Sequence, residues 1–489
     1  MPTYQTPGVY VNEIDKLPSH VAQVETAIPV FIGYTETAIS KDKSLTNRPY
    51  CVSSFNQFEL CYGSFPIVQF DWTDAPDPHA IELNAGSHLY YIKQTSPSYQ
   101  LYKSVKLFFQ NGGNHCYIVS VGNYRQPIKS NTLVAGIQTL TKESAPSMLV
   151  IPESVCLPTS ECAAVQNAQI AFCRTAQTLV AILDIPEKDA IAHSTQSFRD
   201  NLAIENHSSF AAAYTPYLNS IAIPNNGLSL GNFTHSARNQ LADLLLTSTT
   251  SMNAELKEII KGVASPEKSR YKDADIHKVL MSSNSAYRHL ISVLKETVNI
   301  VPPSGAVAGA IAQTDVNRGV WKAPANVSLS GVVSPTVMIT DQQQETLNVD
   351  INGVSINAIR TFIGRGTLIW GARTLDGNNL DTRYINVRRS LIMIEQSVQI
   401  ALQKFVFEPN DANTWKAIQL MVENYLTQLW RQGALAGSTP EQAFSVRIGL
   451  GVTMTAMNIN EGQLYVSILL ALSRPAEFIE IGIQLQMRK

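Results

Sequence analysis

The sequence predicts a multi-domain α/β (mixed α+β) protein, and three features of the 489-residue chain lead to that prediction. In the first half, short apolar runs alternate with stretches of helical character, which is typical of helices packed on a buried sheet. A mostly helical segment follows, from about residue 219 to about residue 300. The last third combines two amphipathic helices with alternating strands, which indicates a further domain of different architecture.

Charge and cysteine content narrow the possible functions. The net charge is -2 and only 16% of the residues are charged, so nothing favours electrostatic binding to nucleic acid. Six cysteines occur without a CxxC pair, which favours reduced thiols over a disulfide scaffold. The N-terminus lacks the pattern of a signal peptide, and no apolar run is long enough to span a membrane. We therefore expect a protein that is made in a cytoplasm and does not insert into a membrane directly.

Buried strands and helices are expected to alternate before residue 219. The runs AIPVFIGYTE, PSMLVIPE and TLVAILDIP predict buried strands, and QNAQIAFCRTAQ has helical character. Residues 105–122 predict the end of a helix, a turn and a strand, since Asn111-Gly112-Gly113 supplies positive φ angles. Before these elements, prolines exclude helix from the first residues and GVYVNEI favours an extended arm.

Two amphipathic helices are predicted in the last third. Their apolar positions recur at intervals of three and four residues, so each helix has one buried face. Pro409-Asn410-Asp411 ends the first helix and offers a cap for the second, which Gly433 and Gly437 end. The apolar positions are Leu391, Ile394, Val398, Ala401 and Phe405 in the first helix and Trp415, Ile418, Val422, Tyr425 and Leu429 in the second.

Three alternating strands are predicted after these helices, at 446–456, 464–470 and 479–487. In the last of them every odd position is apolar, and no charge lies between Ile481 and Met487. An uncharged edge strand recruits other chains, because its N–H and C=O groups are unpaired. A partner strand would add about four hydrogen bonds, each worth ~0.5–1.5 kcal/mol net.

Two short motifs could indicate chemistry, and we interpret both as loops. GLSLG has the GxSxG spacing of a nucleophile elbow around Ser229, but Pro224 and two asparagines stand where an elbow requires a strand. DAPDPHA contains possible metal ligands within a proline-rich acidic loop. We therefore predict no enzyme, with no catalytic, cofactor-binding or metal-binding residues. The alternative is an α/β hydrolase-like enzyme that uses Ser229, and it predicts loss of esterase activity in Ser229→Ala.

Longer stretches carry a resemblance over nearly the whole chain, and VPPSGAVAGAIAQTDVNRGVWKAPAN (301–326) is the most specific of them. The others are PGVYVNEID, FFQNGGNHCYIVSV, IRTFIGRGTLIWGARTL, YINVRRSLIMIEQSVQIALQKFVFEPND, LWRQGALAG and the final strands. Together they resemble the tail sheath proteins of contractile injection systems: the sheath family of contractile phage tails, pyocins and extracellular contractile particles. The chain departs from shorter sheaths of this family by the helical residues at about 219–300, which we interpret as an elaboration of the outer domain.

The resemblance implies four parts and a mechanical function. Subunits would form stacked rings around an inner tube of a different protein and contract from a metastable extended state, driving the tube through a target envelope. The arms would pair with strands of neighbouring subunits and survive contraction. The implied parts are an N-terminal β-arm (1–22), an outer α/β domain with the helical insertion (23–358), an inner tube-facing core of helices and β-meander (359–475) and a C-terminal strand arm (476–489).

The resemblance also implies partners and contact residues. The partners would be further copies of the chain, the inner tube protein, and baseplate and tail-terminator or cap proteins. We expect assembly in a bacterial cytoplasm, and then a place in a phage tail or an extracellular particle. A tube or capsid subunit is a further alternative, which chain length and the arm-and-strand pattern disfavour. The expected strand-pairing residues are Val9, Tyr10, Val11, Ile14, Ile479, Ile481, Ile483 and Leu485, and the candidate tube contacts are Lys416 and Arg431, which lie off the apolar stripe.

Overall fold

The computed structural model of the chain divides into two compact units. We call residues 26–389 the sheet unit, and residues 20–25 with 390–478 the C-terminal unit. Neither arm predicted from the sequence lies within the described residues, apart from a few residues at its inner end. The structure describes residues 20–73, 80–85, 88–187, 189–203, 208–224, 227–248, 254–349 and 353–478.

Strands occur throughout the described part of the chain. They are β1 (Pro29–Thr35), β2 (Ile39–Ser40), β3 (Lys43–Ser44), β4 (Tyr50–Val52), β5 (Phe70–Thr73), β6 (Ala80–Ala85), β7 (His88–Gln94), β8 (Cys116–Asn123), β9 (Met148–Val150), β10 (Val180–Asp184), β11 (Ala211–Thr215), β12 (Leu218–Ser220), β13 (Ile300–Val301), β14 (Val327–Ser328), β15 (Val332–Pro335), β16 (Asn357–Phe362), β17 (Gly366–Trp370), β18 (Phe444–Arg447) and β19 (Ser467–Leu470).

Helices alternate with these strands and dominate the segment after β12. They are α1 (Phe55–Tyr62), α2 (Leu101–Gln110), α3 (Ser130–Gln138), α4 (Thr159–Ala176), α5 (Ile191–Asn201), α6 (His235–Ser248), α7 (Ala254–Ala264), α8 (Asp273–Ser283), α9 (Ser285–Val298), α10 (Ser304–Arg318), α11 (Asp341–Asn348), α12 (Ile385–Leu402), α13 (Ala412–Arg431), α14 (Pro440–Ala443) and α15 (Ala456–Asn460).

A nine-stranded sheet forms the centre of the sheet unit, in the order β14-β17-β16-β11-β10-β9-β1-β8-β4. The strands from β8 to β16 in this order are parallel, and the outer strands β4, β17 and β14 are antiparallel to their neighbours. Every residue of β1, β9 and β10 is buried, as expected for parallel strands covered on both faces. The predicted α/β architecture and its three buried strands are therefore confirmed.

The helical segment predicted at 219–300 forms a lobe with a core of its own. Helices α6 to α9 pack against the separate antiparallel sheet β5-β7-β6, which comes from residues 70–94. Buried residues of this core include Phe70 and Ile92 from the sheet and Leu241 and Leu290 from the helices. The indole Nε1 of Trp72 also donates to the carbonyl oxygen of Ala237 over 2.9 Å. The lobe thus joins two segments that lie far apart in the sequence.

Helix α10 contains the most specific stretch found in the sequence, and two glycines allow it to pack very closely against α2. A Cβ atom added to Gly305 would lie only 2.6 Å from the Cα atom of Ser104, and one added to Gly309 would lie only 2.7 Å from the Cβ atom of Asn111. Residues 304–312 are all buried, so the helix is surrounded by protein on every side along this length. The spacing of four residues places both glycines on the face that meets α2.

The C-terminal unit confirms the two predicted helices and corrects one predicted strand. Asp411 caps α13 through bonds from the amides of Asn413 and Thr414. The strand predicted at 446–456 is wrong after Arg447, where β18 ends. Gly449 and Gly451 have φ angles of +147° and +74°, which break the strand. Thr455 then begins α15 with a capping box.

The compact units also differ from the domains expected from the sequence. The boundary expected at 358/359 falls inside β16, which pairs with β11 through Tyr214 and Thr215. The side chain of Asn357 adds bonds to the carbonyl oxygens of Ala213 and Arg373, over 3.1 and 2.7 Å. Residues up to 389 therefore belong to the sheet unit by their contacts. The division into an outer and a tube-facing domain stays a prediction.

Gly305→Ala is expected to lower the free energy of unfolding by about 1–3 kcal/mol, because the new methyl group forces the backbones of α10 and α2 apart. Urea-induced unfolding would measure the change. Gly231→Ala is the matched control, since its added Cβ would approach only the Ser229 hydroxyl, at 3.5 Å. Equal unfolding midpoints for the two variants would contradict the role given to Gly305.

Candidate functional site

The strand-pairing residues predicted at both ends of the chain lie outside the described residues. This applies to Val9, Tyr10, Val11 and Ile14 at one end and to Ile479, Ile481, Ile483 and Leu485 at the other. Their pairing therefore stays a prediction. The described residues of the C-terminal unit include a short β-ribbon.

Strands β18 and β19 form a two-stranded antiparallel ribbon, and within the described chain no further strand pairs with either of them. Val446 lies opposite Ile468, and Ser445 lies opposite Leu469. The ribbon is attached at one end, where the amide of Ala471 donates to Ala443 and that of Ala436 donates to Ala471. A lone two-stranded ribbon is marginally stable, and its outer edges can accept further strands.

The same unit exposes many large apolar side chains. The side chain of Phe407 is fully exposed, and its backbone has a φ angle of +75°, which is uncommon for a bulky residue. A strained backbone conformation of this kind persists where the surrounding structure holds it in place. A contiguous patch of such side chains is typical of a protein contact, whereas single ones are common on free monomers. The apolar side chains that are half or more exposed are Ile400, Val406, Phe407, Leu420, Leu450, Val452, Met457, Tyr465, Leu469 and Phe478.

Lys416 and Arg431, the candidate tube contacts, both lie exposed on α13. Fifteen residues separate them, which corresponds to about 22 Å along the helix and to directions about 60° apart. The opposite face of α13 is buried through residues that include Ile418, Val422 and Leu429. Within the described residues neither cation makes an ion pair, so both can meet an acidic partner surface.

In the sheet unit, the carboxyl ends of the parallel strands are the place where other α/β proteins bind ligands. Here the chain's own carboxylates occupy the helix N-termini at that edge. Glu153 Oε1 accepts bonds from the amides of Gln100 and Leu101, over 3.2 and 2.8 Å, at the start of α2. Asp184 accepts bonds from the amide and hydroxyl of Ser304, over 2.7 and 2.5 Å, at the start of α10.

Burial perturbs these carboxyl groups strongly. It raises the pKa of Glu153 to about 7 and that of Asp184 to about 7, although hydrogen bonds to both oppose the shift. It also raises the pKa of Glu187 to about 6, where Thr336 and the amide of Tyr217 donate to the carboxylate. Perturbed acids at a sheet edge often mark an active site. Here each of them is occupied by an internal donor.

Sequence reasoning missed these acids, although a signal was present. Both Glu153 and Asp184 stand at or just after the end of a buried apolar run, where parallel strands end. The sequence could not reveal that each acid caps a helix from elsewhere in the chain. The fully exposed, strained Phe407 had no sequence signal, because its conformation depends on the turn between α12 and α13.

Ser229 does not have the setting of a nucleophile elbow. It begins a 3₁₀ turn at Leu230–Asn232, and its hydroxyl accepts a bond from the amide of Gly231. The side chain of Asn232 in turn accepts from the amide of Ser229 over 2.8 Å, which completes a capping box. The serine therefore has a local structural role, and its position gives no support to the hydrolase alternative.

The described residues contain neither a membrane-spanning helix nor a cluster of metal ligands. Of the helices that the structure describes, none is long and apolar enough to cross a membrane. Across the described ranges, no group of three or more His, Cys, Asp or Glu side chains is arranged to hold a metal ion. The acidic loop with Asp74, Asp77 and His79 lies outside those ranges.

Two family models match the chain. The model of the phage tail sheath protein central domain matches residues 154–375, and that of the phage tail sheath C-terminal domain matches residues 378–486.

A tail sheath protein of Burkholderia phage BcepMu is 29% identical over 141 residues, which make up 28% of this chain and 29% of that protein. A tail sheath protein of Vibrio phage KVP40 is 25% identical over 135 residues, 28% of this chain and 20% of that protein. These alignments span less than a third of either relative.

Solved structures match along the whole chain. The sheath complex of an extracellular contractile injection system, PVC, in its contracted state is 26% identical with a TM-score of 0.62, covering 99% of this chain and 98% of that one. The helical sheath of the anti-feeding prophage (AFP) in its contracted state is 26% identical with a TM-score of 0.61, covering 99% of both chains.

The buried acid Glu153 predicts a pH dependence of stability. Its pKa in the folded protein is raised, so the stabilisation that it contributes is fully present below its ordinary pKa and is lost as pH rises through about 7. We expect the free energy of unfolding, measured in urea, to fall between about pH 5 and about pH 8. In Glu153→Gln that fall should be smaller by about 1–3 kcal/mol.

The control for this measurement is Glu255→Gln, which changes an exposed glutamate on α7. It should leave the pH dependence of wild type unchanged. Parallel curves for wild type and Glu153→Gln would show that the buried acid does not titrate in this range, and the prediction would be wrong.

Proposed function

The chain belongs to the phage tail sheath family, and on that premise we propose that it is the self-assembling structural subunit of a contractile sheath. Copies of the chain form stacked rings around an inner tube made of a different protein. The assembled sheath contracts from a metastable extended state and drives the tube through a target envelope. The subunit acts mechanically, and no catalytic step is part of the proposal.

The observation that carries this proposal is the open β18–β19 ribbon in the C-terminal unit. Its two strands pair only with each other among the described residues, and Leu469 on β19 is 58% exposed. An N-terminal arm and a C-terminal strand from neighbouring subunits would extend the ribbon into a larger sheet. Each added strand would contribute about four hydrogen bonds at ~0.5–1.5 kcal/mol net.

Strands shared in this way would act as hinges during contraction. Backbone hydrogen bonds between strands do not depend on how the sheet units pack, so the links can persist while the subunits rotate. The energy would come from the difference between two packings of the same chain. A gain of ~1–3 kcal/mol per subunit, the scale of ordinary conformational coupling, becomes large over many copies.

The contact between sheath and tube has to release during contraction, which favours weak exposed ion pairs. We assign this contact to Lys416 and Arg431 on α13, whose charges face away from the buried side of the helix. Exposed ion pairs contribute only ~0–1 kcal/mol each. Several such pairs around a ring would position the sheath on an acidic tube surface without locking it there.

The remaining partners follow from the same assembly. A baseplate would start and trigger the sheath, and a tail-terminator or cap protein would end it. Assembly would take place in a bacterial cytoplasm, and the sheath would then be part of a phage tail or of an extracellular phage-tail-like particle.

Truncation after Pro475 tests strand donation. Negative-stain electron microscopy of the purified full chain should show striated tubes, while the truncated chain should give only small particles, because the donated strand is missing. The matched control ends at Met487 and loses only Arg488 and Lys489, so it should still form tubes. Tubes from the chain cut after Pro475 would refute strand donation by the C-terminus.

Charge reversal tests the tube contact. Lys416→Glu combined with Arg431→Glu should reduce loading of the sheath onto purified tubes at least about tenfold, because repulsion replaces two attractive pairs. Co-sedimentation at low and high salt would measure it. The control reverses two exposed lysines of α7, Lys257→Glu with Lys261→Glu, and should load normally. Unchanged loading of the α13 variant would remove these residues from the contact.

A further inference from the structure

Thr26 is the first residue of the sheet unit, and three side chains from distant parts of the chain converge on it. Its hydroxyl donates to Asp315 Oδ2 over 2.6 Å, and Arg389 Nη2 donates to its carbonyl oxygen over 2.7 Å. The hydroxyl of Ser147 donates to the same carbonyl oxygen. The position of Thr26 is thus determined by two groups on its carbonyl and one on its hydroxyl.

Two of these side chains also form a buried ion pair with each other. Arg389 Nη1 lies 2.8 Å from Asp315 Oδ1, and Nη2 lies 2.5 Å from Oδ2, which is a bidentate arrangement. The two side chains are only 3% and 4% exposed. A planar guanidinium held in this way keeps a further N–H at a fixed angle, and that N–H meets the Thr26 carbonyl.

The ion pair is a poor candidate for a device that simply adds stability. Removing two charges from water costs nearly as much as their attraction returns, and apolar pairs of similar volume often replace buried ion pairs without loss. What an apolar pair cannot supply is directed hydrogen bonding to a third residue. Thr26 depends on that directed bonding, because Arg389 donates to its carbonyl oxygen.

Asp315 and Arg389 lie in parts of the chain that are otherwise firmly held. Asp315 is part of α10, which packs closely on α2 through Gly305 and Gly309. Arg389 is the last residue of the sheet unit, in α12. Directly after Thr26, two hydrogen bonds join Ile28 and Ser147 as β1 begins: the amide of Ser147 donates to the carbonyl oxygen of Ile28, and the amide of Ile28 donates to Ser147 Oγ. Before Thr26, the side chains of residues 22, 23 and 25 are exposed, while Val21 is buried and the amide of Val24 donates to Ser397 Oγ over 3.1 Å.

We propose that Asp315 and Arg389 are positioning residues that clamp Thr26 and so fix where, and in which direction, the N-terminal segment leaves the sheet. The inference rests on the proposed function, in which that segment reaches a neighbouring subunit. A strand donated across a subunit boundary has to arrive in the correct register, and a shift of one residue turns its apolar side outward. A fixed exit point limits the conformations from which the strand must be selected.

The test uses the full-length chain and compares two variants. Asp315→Leu combined with Arg389→Met removes both clamping groups and fills their volume with apolar side chains. Thr26→Val removes the hydroxyl and keeps the size of the side chain. Hydrogen–deuterium exchange of residues 20–28 is measured on unassembled subunits, thermal unfolding reports stability, and electron microscopy reports tube formation.

We expect the double variant to unfold within a few degrees of wild type and to exchange at residues 20–28 at least about tenfold faster. Its tubes should be at least about tenfold fewer, or irregular in helical pitch. Thr26→Val should also speed exchange at residues 20–28, but by a smaller factor. If the double variant fails to fold, this single variant still tests whether Thr26 is clamped. The control is Thr314→Val on α10, whose hydroxyl bonds only within its own helix, to Ala310. It should behave as wild type.

Unchanged exchange at residues 20–28 in both variants would overturn the clamp. Regular tubes in wild-type yield from subunits with fast exchange would overturn the positioning role. If the wild-type chain formed no tubes with its tube and baseplate present, the proposed function would fail, and the exchange measurement would still decide whether Thr26 is clamped.

Discussion

The backbones of α10 and α2 meet so closely that only glycine fits at Gly305 and Gly309, and much of the sheet unit depends on this contact. It places the start of α10 where Asp184, at the end of β10, can cap it through Ser304. It also places Asp315, near the other end of the same helix, where Arg389 and Thr26 meet it. A shift of α10 would therefore disturb the sheet edge and the exit of the N-terminal segment together.

The carboxyl edge of the sheet bears on how an α/β architecture could serve the mechanical role that we propose. Helix N-termini at this edge attract anions, which is why enzymes of similar architecture bind phosphates and carboxylates there. In this chain Glu153 and Asp184 fill those positions from within. Burying them raises the pKa of both carboxyls, and the bonds they accept join strand ends to the helices that follow elsewhere. The bonds at this edge therefore hold strands and helices of the sheet unit together.

The C-terminal unit differs, because its described part has strand edges that are not paired and large apolar side chains that are not covered. Its ribbon has two strands, and its surface exposes Phe407, Leu450 and Met457. Such features are liabilities in a free protein and are resolved when neighbours cover them. Internal hydrogen bonds hold the carboxyl edge of the sheet unit, whereas the ribbon edges of the C-terminal unit are open within the described residues. This division would suit the contracting assembly that we propose, since internal bonding and exchangeable external bonding are kept apart.

The sequence by itself determined the α/β class, the buried strands around Phe31, Leu149 and Ile182, the helices with their apolar stripes, and membership of the sheath family. These features follow from local periodicity and from contiguous stretches, which a single sequence displays directly. It misjudged the strand after Arg447, because two glycines with positive φ angles overrode an alternating pattern. Only the tertiary structure decided that residues 70–94 share a core with α6 to α9, that β16 belongs to the central sheet, and that Thr26, Asp315 and Arg389 meet. Those relations join residues that lie far apart in the sequence, 74 positions for Asp315 and Arg389 and 363 for Thr26 and Arg389, and which residue pairs with which depends on how the whole chain packs.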